Sequence, residues 1–262
     1  MEEKLKKWVN EFLEQIKTSE KPSIWLEQQR ENGNLKEFFP ELLLCYQVEQ
    51  NQYHKYDVYY HLLYSCDSAA KREAVKLAAL FHDIGKARTK KNVNGEWVFY
   101  NHEIISTEIA FQVFKRWGLP RFLVKKTTLL IRNHMFHYQE NWTDSAVRRV
   151  MRKVGRENME DLFLLRVADR EGNGFRRGEP LKVKDFKARI EKILVEEKRF
   201  KILDLEIKGN DIIEMGLKEG PVVGKVLKQL FQMVKDNKLD NQIDELKREA
   251  EKIIQSDHFV CS

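Results

Sequence analysis

One fourteen-residue stretch, EAVKLAALFHDIGK from Glu73 to Lys86, constrains this chain more than any other. Leu77, Phe81 and Ile84 recur at helical spacing and Gly85 supplies a stop signal, so the pattern predicts a mostly buried helix with His82 and Asp83 in its last turn. A carboxylate taken out of water without a partner is costly. Such an imidazole–carboxylate pair therefore binds a metal, an opposite charge or a hydrogen-bond network. His61, His102, His134 and Asp169 are further groups able to complete a metal site, in the chain order H…HD…H…H…D.

A chain of 262 residues is long enough for one large helical domain or two small ones, each with its own core. Hydrophobic residues at 42% and charged residues at 34% give a water-soluble globular composition, and the absence of any 18-residue apolar run predicts no transmembrane segment. The start, MEEKLKKWVNEF, lacks an apolar signal core, so a cytoplasmic location is expected. Cys45, Cys66 and Cys261 are odd in number and form no CxxC, which predicts reduced thiols and no disulfide. The net charge of +6 is unevenly spread: Lys115 to Arg156 holds eleven Lys or Arg against Glu140 and Asp144, an excess of nine. That stretch also contains His134, and its charge suits a phosphate-bearing substrate.

Along the chain, residues 1–50 read as short helices, with Pro22 opening one and an apolar stripe of Leu35, Phe38, Phe39 and Leu42 in another. Asp57 as an N-cap places His61 one turn into the next helix and facing the core, whereas His54, in a polar run, reads as exposed. Asn94-Gly95 before WVFY is a hairpin signal that delivers His102 to the following helix. Gly118 and Pro120 separate that helix from one whose inner face is Phe122, Leu123, Leu130 and Ile131 and whose end carries His134. Thr143 caps another, and Asn158 starts DLFLLRVADREGNG, which ends near Asp169. From Val183 onward the chain reads as a second helical unit, with the Gly172–Gly178 loop as the boundary.

The ordered ligand set, with Gly85 and Lys86 completing HDxGK, resembles the HD-domain metal-dependent phosphohydrolases. KGNDIIEMGLKEGPVVGKVLKQL resembles the body of the tRNA nucleotidyltransferase and poly(A) polymerase family, and FFPEL its neck, so the likeness runs from about residue 30 to 255. The glycine-serine turn and paired carboxylates of that family's catalytic head are not found upstream of Phe38, and Asp204-Leu205-Glu206 lacks the turn. Nucleotide addition by these residues alone is not expected. The resemblance implies an all-α HD bundle with one small hairpin: a helical lead-in (1–50), a phosphohydrolase domain (51–175) and a helical body (176–262).

It further implies that His61, His82, Asp83 and Asp169 hold one divalent ion, and that His102 and His134 hold a second with Asp83 bridging. Imidazole and carboxylate ligands leave Mn, Fe, Ni, Co, Zn and Mg all open. Lys86 is then the charge stabiliser beside the phosphate, and Arg132, two residues before His134, the substrate contact. The expected function is phosphodiesterase or phosphatase action on nucleotides or RNA-end phosphates such as 2′,3′-cyclic phosphates. The other reading is a non-catalytic RNA-binding module or a subunit partnering a separate nucleotidyltransferase. Possible tRNA binding follows from both, no membrane partner is expected, and the oligomeric state is left open.

Overall fold

In this computed structural model, which describes residues 2–199, 202–236 and 238–256, the chain is helical apart from one hairpin. The helices are α1 (Glu2–Thr18), α2 (Pro22–Glu31), α3 (Asn34–Phe38), α4 (Pro40–Leu43), α5 (Val58–Ser68), α6 (Glu73–Phe81) and α7 (Lys86–Thr89). After strands β1 (Lys91–Val93) and β2 (Glu96–Val98) come α8 (His102–Arg116), α9 (Arg121–Asn133), α10 (Asp144–Val154), α11 (Met159–Gly172) and α12 (Leu181–Arg199). Then follow α13 (Gly209–Glu214), α14 (Pro221–Lys235) and α15 (Ile243–Ser256). No helix among the described residues is long and apolar enough to cross a membrane. Cys45 and Cys66 are free and buried; Cys261 lies outside the described residues.

Packing divides the chain into two compact units: one built from residues up to Tyr138 with Val154–Lys184, the other from Gln139–Lys153 and the residues from Asp185 onward. In the first, α5 and α11 pair most extensively, and α6 is flanked by α5, α9 and α11. Every residue of α6 from Ala74 to Phe81 is buried, which is why it reads as apolar on all sides rather than on one face. Even Lys76 is enclosed, its Nζ donating to the Ser19 carbonyl at 2.6 Å. Phe81 stacks on Phe39 at 4.9 Å and meets Phe114 at 4.7 Å, while the Trp117 indole N–H donates to the Phe38 carbonyl at 3.2 Å. Burying a Phe side chain contributes about 1.5–3 kcal/mol, so this aromatic cluster fixes the end of α6, the residue before His82.

The Leu35–Leu42 stripe is buried as expected, but LKEFFPELLLCY is broken into α3 and α4, because Pro40 has no N–H to continue a ladder and starts a new turn instead. The hairpin pairs Lys91 with Val98, Asn92 with Trp97 and Val93 with Glu96. Asn94 (φ 53°) and Gly95 (φ 88°) both take the left-handed conformation that a two-residue turn of this kind demands.

The second unit has its own core of Leu205, Ile207, Ile212, Leu217, Val226, Leu230, Leu246 and Ala250, gathered mostly from the apolar stripes of α13, α14 and α15. Arg152 binds Asp240 at 2.7 Å, and Trp142 meets Phe186 edge-on at 5.9 Å.

Candidate metal centre

Four separate helix ends and one helix interior deliver the site. Asp57 caps α5, its Oδ1 accepting from Tyr60 N–H at 2.8 Å, and so sets His61 one turn in, fully buried. Helix α6 stops at Phe81; His82 is its C-cap in helical conformation, and Asp83 lies in the turn beyond rather than in the last helical turn that the sequence predicts. Gly85, read from sequence as a stop signal, is not a left-handed stop: its φ is an ordinary −68°. What it supplies is room, since a Cβ there would stand 2.6 Å from both the His102 carbonyl oxygen and Ser106 N. Gly85 N–H donates to Ser106 Oγ at 2.9 Å, clasping the turn to the start of α8, where His102 is the first residue. His134 caps the end of α9, and Asp169 sits in the last turn of α11.

The six side chains converge. His61 Nε2 is 3.1 Å from His82 Nε2, 3.3 Å from Asp83 Oδ2 and 3.4 Å from Asp169 Oδ1. His82 Nε2 lies 3.4 Å from Asp83 Oδ2 and 3.5 Å from Asp169 Oδ1. On the other side of the same carboxylate, Asp83 Oδ1 is 3.0 Å from His102 Nε2 and 3.5 Å from His134 Nε2, which are 3.3 Å apart. Donor atoms held roughly 2.1 Å from one centre are separated from each other by about 3.0–3.4 Å, so both groups have the spacing of a ligand set.

The tautomers follow from the anchors. His82, His102 and His134 each direct Nδ1 at a carbonyl three residues earlier, Ala79, Phe99 and Ile131, at 2.9, 2.7 and 2.8 Å. A carbonyl only accepts, so each Nδ1 carries a proton and Nε2 is the atom each ring turns inward, as a lone pair wherever the imidazole is neutral. At His102 and His134 this aims bare nitrogens at Asp83 Oδ1, which accordingly has no hydrogen bond although it is buried. Acceptor facing acceptor in a buried site is an arrangement that a cation resolves, and the residues fit one.

The electrostatics agree in sign. Burial alone would raise the Asp83 carboxyl, yet Lys86, His82 and His102 hold it well below the usual range. Burial opposes charge on Asp169 too, but His61, His82 and Arg166 lower it strongly. Burial works against charge on His82, and the two carboxylates outweigh it, holding this imidazole up at about 10, so its Nε2 carries a proton at neutral pH that a ligated cation would replace. Burial lowers His134, which stays neutral at ordinary pH.

A cleft of about 830 Å³ opens onto Asp83, His102, His134 and Asp169. Lys86 lines it, buried, with Nζ 2.6 Å from Asp83 Oδ2 and 2.7 Å from Gln50 Oε1. Arg132 is not among the lining residues; it is exposed on α9 with Nη1 3.5 Å from Glu103 Oε1. Arg166 lines the cleft and bonds Asp169 Oδ2 at 2.7 Å, turning Oδ1 toward the histidines. His54, read from sequence as exposed, is half-buried: its loop folds back through Lys55 N–H to the Asn173 carbonyl at 3.1 Å. Its ring stands edge-on to His61 at 5.4 Å, its ligand atoms lie within 4.8 Å of those of His61 and Asp83, and burial with nearby Lys86 lowers it to about 3. That long-range backbone bond helps bring His54 in, and local sequence carries no signal of it.

Residues 52–174 match the HD domain. The chain is similar to the A-adding tRNA nucleotidyltransferase of Deinococcus radiodurans, 29% identical over 210 residues, covering 76% of this chain and 48% of that protein. It is similar to the CC-adding tRNA nucleotidyltransferase of Thermus thermophilus, 28% identical over 234 residues, covering 86% and 51%. A multifunctional CCA protein of Hahella chejuensis is 30% identical over 122 residues, covering 44% and 28%. The chain thus spans about half the length of the first two relatives.

Proposed function

We propose, for a chain that carries an HD domain and is homologous through that domain and the body after it to tRNA nucleotidyltransferases, that its activity is metal-dependent phosphoester hydrolysis. The substrates are nucleotides or RNA-end phosphates such as 2′,3′-cyclic phosphates. The observation that carries this reading is the divided Asp83 carboxylate, with Oδ2 facing His61 and His82 and Oδ1 facing His102 and His134.

In this reading His61, His82, Asp83 and Asp169 hold one divalent ion, and His102 with His134 and Asp83 a second. Ions so held would make water nucleophilic near neutral pH and neutralise charge on the attacked phosphate. The chain's own residues do the rest. Backbone carbonyls fix three imidazoles in the ligating tautomer, Arg166 orients Asp169, and Lys86 reaches from Asp83 into the cleft to meet a phosphoryl oxygen. A role for Arg132 at the substrate requires that its contact with Glu103 open. Residues 51–175 are the catalytic domain of this reading, with 1–50 a lead-in and 176–262 a body.

The test is a panel of nucleoside 2′,3′-cyclic phosphates and phosphomonoesters given to the protein loaded with Mn²⁺, Ni²⁺, Co²⁺ or Zn²⁺. Turnover in wild type that is lost in Asp83→Ala supports the reading, and equal rates sink it. The tRNA enzymes among its relatives favour a second reading, an RNA-binding or subunit-like module, which absence of turnover across the whole panel would leave standing.

A further inference from the structure

The loop that leads into α5 carries a histidine that the ligand set above does not use. His54 lines the cleft, and a ring nitrogen of it lies within 4.8 Å of a ligand atom on His61 and of one on Asp83. Its tautomer is fixed in the manner of the other imidazoles. Nδ1 stands 2.8 Å from Asn51 Oδ1, and that atom is an oxygen, because it also accepts from Tyr53 N–H at 3.2 Å. Nδ1 therefore carries the proton, and Nε2 is the nitrogen left to ligate. The loop is built to hold the ring in place. Gln50 Nε2 closes it by donating to the Tyr56 carbonyl at 3.2 Å, and Lys55 N–H ties it to the Asn173 carbonyl at 3.1 Å. Gly174, at φ 88°, packs so close that a Cβ there would stand 2.5 Å from Tyr56 Cε2. The end of α11, whose last turn carries Asp169, thus clamps the loop that carries His54.

We propose that His54 is a further protein ligand, through Nε2, to the divalent ion held by His61, His82, Asp83 and Asp169, and that it makes this half of the site prefer an ion that takes six ligands over zinc. This rests on the ion reading above. Donor atoms on opposite sides of one ion, each bound at about 2.1 Å, lie about 4.2 Å apart, so a small rotation of the His54 ring brings it to an ion that His61 and Asp83 share. His61, His82, Asp83 and Asp169 alone supply four donors, the number that closes a zinc site. A fifth, with one place left for water, suits ions that expand to six, such as Mn²⁺ or Co²⁺. His54 belongs to this ion rather than to the one at His102 and His134, since its near neighbours among the ligands are His61 and Asp83.

The experiment titrates Co²⁺ and Zn²⁺ into the metal-free full chain, into His54→Ala and into His54→Gln, and records the visible spectrum of the cobalt form. Each is repeated with His102→Ala/His134→Ala, so that the one ion is read by itself. With His54 present, the weak bands of five- or six-coordinate cobalt are expected; without it, the several-fold stronger bands of tetrahedral cobalt. The Co²⁺ dissociation constant should rise at least about tenfold, and that of Zn²⁺ by less than about threefold. His54→Gln keeps the half-buried place filled and should give the same result, with the circular dichroism of the metal-free protein unchanged. Asn51→Leu should reproduce part of the spectral change and Asn51→Asp should not, because a carboxylate still accepts the Nδ1 proton. An unchanged spectrum and affinity in both His54 variants overturns the ligation, and equal weakening of both metals overturns the preference. Loss of turnover with cobalt binding intact makes His54 a substrate contact and overturns the ligation while leaving hydrolysis standing. Wild type that binds neither ion overturns the metal site itself, and the hydrolysis reading with it.

Discussion

Gly85 and His102 approach so closely that a single methyl on the glycine would stand 2.6 Å from the histidine's carbonyl oxygen. The turn carrying Asp83 and the helix carrying His102 are thereby locked at backbone distance. Gly85→Ala is expected to destabilise the protein by about 1–3 kcal/mol in denaturant melts, because the obstruction is backbone and has no flexible end to yield. It should also lower bound metal, since Asp83 and His102 share the displaced contact.

Gly172 makes the matching contact on the other side of the site. A Cβ there would meet Ser65 N at 2.5 Å and Ser65 Cα at 2.7 Å, where α11 crosses α5 one turn from both Asp169 and His61. Gly172→Ala should cost stability to a similar degree, and adding Ser65→Ala should not restore it, because backbone atoms as well as the hydroxyl are struck. Full rescue by Ser65→Ala in thermal melts would contradict this.

Much of this was legible in the sequence. Period 3.6 marked the helices, Asn94-Gly95 marked the hairpin, and Asp57 marked the cap that aims His61. What local pattern could not give was any relation set by helices crossing. Gly85 read as a stop signal because its neighbours in space are invisible in the chain order, and His54 read as exposed because one backbone bond to Asn173 folds its loop inward. The Lys86–Asp83 contact lies at a spacing of three residues across a turn and was open to a local reading, but the residue type suggested a phosphate partner first.

Asp161 is a purely structural counterpart to the site. Buried on α11, it binds Lys126 of α9 at 2.5 Å and Arg72 before α6. Burial would raise its carboxyl, but Lys126 and Arg72 hold it below the ordinary value. A carboxyl depressed in the folded state adds stability above its unfolded pKa of about 3.9 and loses it as pH falls through the lower folded value. Asp161→Asn should therefore destabilise the protein by about 1–3 kcal/mol at pH 7, and the gap to wild type should shrink below about pH 4. A pH series of urea melts in which that gap stays constant would contradict the assignment.

Lys86→Ala should retain metal, because removing an ammonium 2.6 Å from Asp83 Oδ2 takes away a competing cation rather than a ligand. Turnover on a phosphoester should fall by roughly 10²–10³, the usual cost of losing one preorganised charge stabiliser. Loss of metal together with activity, read by elemental analysis beside kinetics, would instead make Lys86 a part of the ligand frame.

If Asp83 joins two ion sites, as proposed, metal stoichiometry after reconstitution with Mn²⁺ and desalting shows it most directly. Wild type is expected to hold two ions per chain, the double variant His102→Ala/His134→Ala one, and Asp83→Ala fewer than one, with circular dichroism showing all three folded. Equal stoichiometry in wild type and Asp83→Ala would contradict the claim.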